Sequence, residues 1–87
     1  MNITDLQLKK IAEAGGLKDA NDLSFKGADN YFELGRYNVS SDWEPVLSLR
    51  ITVGGCVDTV EFKTELTTFD KKAARREMEN LGLIERL

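Results

Sequence analysis

Residues 46–64 alternate apolar and polar side chains on both sides of Gly54-Gly55, and no other segment restricts the fold as tightly. A period of two places Leu47, Leu49, Ile51 and Val53 on one face of a strand. Two glycines between alternating runs signal a two-residue hairpin turn. Strands are therefore expected over 46–53 and 56–64. A turn at Gly54-Gly55 sets the register. Val53 faces Cys56, Ile51 faces Asp58, Leu49 faces Val60 and Leu47 faces Phe62. The other side pairs Thr52 with Val57, Arg50 with Thr59, Ser48 with Glu61 and Val46 with Lys63. The first face is apolar except for Asp58, and the second is largely polar. Such a hairpin belongs to an antiparallel sheet with one buried and one wet face.

Helix signals flank this sheet. Thr4 is a good N-cap, and Gln7 three residues later completes a capping box. Ile3 and Leu8 are spaced as a hydrophobic staple. Leu8, Ile11 and Ala12 recur at helical spacing, and Gly15-Gly16 supplies a stop, so a helix is expected over 4–14. A second helix is expected from about Thr67, acting as its cap with Asp70 at N3, to about Leu81. Gly82 fits the C′ position there, with Leu83 meeting Met78 across a Schellman close. The tail from Leu83 lies back on the core.

Between the first helix and the sheet, residues 17–30 read as a long loop or a short helical turn. Leu17, Leu23 and Phe25 are expected to cover one edge of the core. Residues 31–39 form a strand in which Gly35 marks a bulge or a close approach. Residues 40–45 form a turn.

The order helix, strand, strand, strand, helix gives an α+β fold. It is a three-stranded antiparallel meander with both helices on its apolar face. With 87 residues the chain is one small domain, residues 1–87. The 31–39 strand would lie at a sheet edge, where pairing with a second copy makes a homodimer, the alternative being a monomer.

Composition narrows the function. The chain has no histidine and one cysteine. That removes Ser-His-Asp and Cys-His nucleophiles, an intrachain disulfide and a four-cysteine zinc site. No cofactor, metal site or enzymatic role is expected. Asp58 faces the core near the hairpin tip, where it is expected to be wet. Cys56 beside it reads as a small hydrophobe. No long apolar stretch marks a signal peptide or a membrane span, and a lone cysteine suits a reducing compartment, so a cytoplasmic location is expected.

The net charge of −3 is unevenly spread. Residues 40–66 carry five acids against Arg50 and Lys63, whereas residues 67–87 carry five bases against four acids. On the second helix, Phe69, Ala73, Ala74, Met78 and Leu81 fall on one half of the wheel, and Lys71, Lys72, Arg75 and Arg76 fall on the other. The free backbone N–H groups at that helix start would suit a phosphate. Lys71-Lys72-Ala73-Ala74-Arg75, in this order of elements, resembles the double-stranded RNA-binding domain family. The resemblance implies phosphate contacts by the basic helix face and a nucleic-acid partner. In this chain the loop between the first two expected strands carries Asp42 and Glu44 and no histidine, unlike that family's usual loop.

Trp43 stands in that acidic loop. An exposed tryptophan suits a binding hot spot. Alternatively its ring packs on Tyr31 or Tyr37. In size and charge the chain is similar to small phage accessory and inhibitor proteins, anti-CRISPR proteins among them. That similarity implies a protein partner with a basic, nucleic-acid-handling surface. The residues expected to meet it are Trp43, Asp42, Glu44, Asp19, Asp22 and Asp29.

Overall fold

The computed structural model describes residues 3–54 and 57–85. Helix α1 spans Asp5–Ala14 and is capped at both ends. The Thr4 hydroxyl accepts from the Gln7 backbone N–H at 3.2 Å, and the Gln7 side chain accepts from the Thr4 N–H at 3.0 Å. Both halves of the capping box are thus closed. At the other end Leu17 N–H donates to the Ala12 carbonyl and Gly16 N–H to that of Glu13. This Schellman close needs a left-handed residue, and Gly16 supplies it with φ 101°. Leu8, Ile11 and Ala12 form the buried stripe.

A single 3-10 turn over Ala20–Asp22 follows. Then come four strands: β1, Ser24–Ala28; β2, Tyr31–Tyr37; β3, Trp43–Gly54; and β4, Val57–Lys63. They form one antiparallel sheet in the order β1-β2-β3-β4. The α+β class agrees with the sequence reading, but the sheet has a fourth strand. Residues 24–28 hide it because only Phe25 offers a core side chain. Gly27 leaves the next inward position empty, with the Phe25 and Phe32 rings stacked beside it at 6.4 Å. Pairing with β2, from Ser24 opposite Gly35 to Ala28 opposite Tyr31, supplies the order that side-chain burial does not. Leu17 and Leu23 are buried, and Phe25 packs against the core, as expected.

The extra strand makes β2 an interior strand, so the edge-to-edge homodimer through residues 31–39 is excluded. The free edges are β1 and β4.

The β3–β4 register also differs from expectation. Leu49 faces Phe62, Ile51 faces Val60, Val53 faces Asp58 and Gly54 faces Val57. Each partner on β4 is shifted by two residues, which preserves both faces. The expected turn at Gly54-Gly55 moves on by one residue, and Gly55 and Cys56 lie outside the described residues. The shift has electrostatic consequences. It takes Asp58 off the rung of buried Ile51 and moves it toward the hairpin tip, where the residue is half-buried and not fully wet as expected. It also sets Arg50 directly opposite Glu61, a pairing of opposite charges that stabilises antiparallel sheets.

Helix α2 spans Lys71–Asn80 and starts later than expected. Its N-cap is Asp70, not Thr67. One carboxylate oxygen accepts from the N–H groups of Lys72 and Ala73, both at 3.0 Å. Phe69, just before the helix, meets the Phe62 ring at 5.8 Å. The Asp70 N–H donates to the Gly15 carbonyl at 2.8 Å, tying the start of α2 to the end of α1. The C-terminal close is the expected one: Leu83 N–H to the Met78 carbonyl, with Gly82 at φ 72°. Ile84 then returns to the core.

Both helices cover one face of the sheet. Leu34, Leu47, Leu49 and Ile51 meet Leu8, Ile11, Ala74 and Met78 in one buried cluster. The opposite face stays open. β3 runs past the end of β2, whose first residue, Tyr31, pairs with Arg50, so the β3–β4 hairpin continues as a two-stranded arm.

Candidate binding surfaces

The first surface surrounds Trp43, which opens β3 and does not sit in a turn. The preceding loop is organised by Asn38. Its side-chain oxygen accepts from the N–H groups of Ser40 and Asp42, and its amide donates to Glu44 Oε1 at 3.0 Å. The β2–β3 ladder shifts between Leu34 and Gly35. Leu34 faces Leu47 and Gly35 faces Pro45, leaving Val46 as the extra residue of a bulge. Gly35 thus marks both a bulge, in the strand facing it, and a close approach. A Cβ there would stand 2.9 Å from Trp43 Cζ2, so the indole lies across the bare glycine.

The indole is held on several sides. Tyr37 meets it edge-on at 5.2 Å. The Lys26 ammonium lies over it at 4.4 Å from the ring centre. Its N–H donates to Glu33 Oε2 at 3.3 Å. The second of the two expectations for this tryptophan therefore holds, with Tyr37 as the partner. The ring is half-buried on the open face of the sheet.

The acids expected to work with Trp43 do not gather around it. Strand alternation turns Glu44 to the opposite face, where it sits across from Arg36. Asp42 is exposed in the Asn38 loop. Asp19 precedes the 3-10 turn and Asp22 ends it, both exposed. Asp29, with φ 53°, occupies the β1–β2 turn. That turn lies at the end of β2 away from Tyr37 and Trp43, roughly 20 Å along the strand at ~3.3 Å per residue.

The second surface is a cleft of about 630 Å³ between β4 and the first turns of α2. Val60, Phe62, Glu61 and Lys63 line it from the strand, and Lys71, Lys72 and Arg75 line it from the helix. A neighbouring hollow of about 520 Å³ shares Phe62, Lys63 and Lys71 and continues past Glu65 to Pro45 and Val46. The helical wheel anticipates three of these cations. It misses Lys63, which joins them only through the tertiary approach of β4 to α2. Arg76 is exposed and is not among the lining residues. The backbone donors at the helix start are not open to a phosphate as expected, because Asp70 occupies those of Lys72 and Ala73. Positive charge in this cleft therefore comes from side chains.

Among the described residues, no group of three or more Cys, Asp or Glu side chains is placed to hold a metal ion. No helix among them is long and apolar enough to cross a membrane. No protein-family model, curated protein or solved structure matches the chain.

Proposed function

We propose that this chain is a non-catalytic protein-binding module, and that its working surface is the cationic cleft beside β4. One observation carries the reading: a strand edge with no partner strand among the described residues runs along a cleft lined by Lys71, Lys72 and Arg75 on its helix side and Lys63 on its open side. The spacing of N–H and C=O groups on a strand edge matches another polypeptide backbone. Lys71, Lys72 and Arg75 add a preference for negative charge on the helix side, while Lys63 is offset by Glu61 on the other. The cleft is locally basic in a chain whose net charge is −3. A non-catalytic role is supported by the histidine-free sequence.

An inhibitor of anti-CRISPR type, masking a basic partner with Trp43, Asp42, Glu44, Asp19, Asp22 and Asp29, has less support. Those acids are dispersed over two faces and both ends of the sheet. A second reading is favoured by the clustering of cations itself. In it, Lys71, Lys72, Arg75 and Arg76 bind nucleic acid, and affinity falls steeply with salt.

Affinity capture from an extract of the organism that encodes the chain tests the proposal. The expected result is a protein partner that survives nuclease treatment. It is lost with Lys71→Ala/Lys72→Ala/Arg75→Ala and kept with Trp43→Ala/Asp42→Asn/Glu44→Gln. Capture that is abolished by nuclease, or indifferent to the cation substitutions, refutes it.

A further inference from the structure

We propose that the partner segment adds to β4 as a fifth strand, and that this segment carries acidic side chains at alternate positions. This rests on the protein-binding reading above and names the partner's chemistry.

The sheet leaves two edges for such a strand. β1 has five residues, with Lys26 as its one charged side chain, and it borders a small hollow of about 180 Å³. β4 has seven residues, about 23 Å of edge at ~3.3 Å per residue. Its cleft lies alongside Val60–Lys63. The second edge is therefore longer, and it is the one provided with a recognition surface.

Register then dictates the side-chain pattern. Val60 and Phe62 share the helix face of β4 with Leu49 and Ile51, while Glu61 and Lys63 share the open face with Arg50 and Ser48. A strand laid on this edge presents every second side chain to the helix side. There Lys71, Lys72 and Arg75 stand in the cleft beneath the edge. Acids in those positions meet three cations. The intervening side chains come up beside Lys63 and Glu61, where the charges offset.

A second copy of the chain is a poorer occupant. Pairing β4 with β4 brings the cations of two α2 helices to one seam. The edge itself carries Asp58, Glu61 and Lys63, the kind of charged side chains that discourage edge-to-edge self-association. A nucleic acid would use the cations and leave the strand's backbone groups unmatched.

The test uses the full chain, labelled with nitrogen-15, and an eight-residue capped peptide of alternating Glu and Thr. Companion probes are the same peptide N-methylated at alternate residues, a Lys-Thr peptide, and a short oligonucleotide duplex. Placing the modification on the peptide keeps the protein's folding out of the comparison. The Glu-Thr peptide is expected to shift the β4 amides and slow their exchange. N-methylation should weaken binding at least tenfold, and the Lys-Thr peptide should not bind. Binding that is indifferent to N-methylation, or that moves α2 amides alone, overturns strand addition while leaving an anion-binding cleft. Equal binding of the Lys-Thr peptide overturns the acidic pattern. Binding of the duplex with none of the Glu-Thr peptide overturns both this inference and the protein-binding reading.

Discussion

Replacing Gly35 by alanine is the sharpest test of how the Trp43 end of the sheet is built. A Cβ at this position would lie 2.9 Å from Pro45 Cα and 2.9 Å from Trp43 Cζ2, and closer still to the Glu44 carbonyl oxygen. Two of the three obstacles are backbone atoms of the paired strand, so a change of side-chain rotamer does not relieve them. Overpacking of this kind costs about 1–3 kcal/mol, and the rigid neighbours place Gly35→Ala at the upper end. The alanine recovers roughly 0.5–1 kcal/mol of strand propensity, leaving a net loss of about 2 kcal/mol. For a chain of 87 residues, the unfolding entropy is about 0.18 kcal/mol/K, so Tm should fall by ~11 °C. Trp43 is the sole tryptophan, so its emission reports on this site directly. As β3 is pushed off β2, the indole loses the glycine beneath it and its emission should shift to the red. Differential scanning calorimetry and fluorescence measure the two effects on one sample. A Gly35→Ala protein that melts within 2 °C of the parent with unchanged emission would refute the packing argument.

Two further substitutions test local devices. Asp70→Ala frees the N–H groups of Lys72 and Ala73 and should cost about 1 kcal/mol of stability in urea unfolding, the usual loss for an N-cap; Asp70→Asn should keep most of it. Asn38→Ala removes the acceptor shared by the Ser40 and Asp42 amides, so hydrogen exchange at those two sites should quicken markedly while β3 core amides such as Leu49 stay protected.

Local chemistry was legible in the sequence wherever a few neighbouring residues decide the outcome. Thr4 with Gln7, and Gly82 with Leu83, close their helix ends as their spacing implies. The wheel of α2 correctly separates Ala74 and Met78 from the cations. Features that depend on distant partners were not legible. β1 is ordered by backbone pairing to β2, and its five residues carry almost no period-two signal. Asp70 overtakes Thr67 as the cap of α2, in a setting where its own N–H is held by Gly15 from the other helix. For Trp43 the sequence leaves an exposed ring and one packed on Tyr31 or Tyr37 equally open, because its immediate neighbours are acids. Its actual surroundings are Lys26, Glu33, Gly35 and Tyr37, which only the sheet assembles. Lys63 escapes for the same reason, being one charge among several on a strand until α2 is placed beside it.

The β3–β4 register and the candidate cleft are one consequence, not two. With the turn at Gly54-Gly55, Lys63 would pair with Val46, and β4 would run on beside the bulge. In the structure the last rung sets Lys63 against Ser48. β4 therefore stops two rungs short of the bulge residue and leaves the outer side of Pro45 and Val46 without a strand. The chain turns away there through Thr64–Leu66, and Asp70 then starts α2. Pro45 and Val46 become part of the hollow continuous with the cationic cleft. The register that takes Asp58 off the rung of Ile51 at one end of the hairpin also leaves space beside Lys63 at the other. Asp58→Val removes the charge that disfavours the rung of Ile51 and should let the two registers compete. Cross-strand contacts between Val46 and Lys63 in nuclear Overhauser spectra would reveal the shifted form, and the same molecules would lose the cleft.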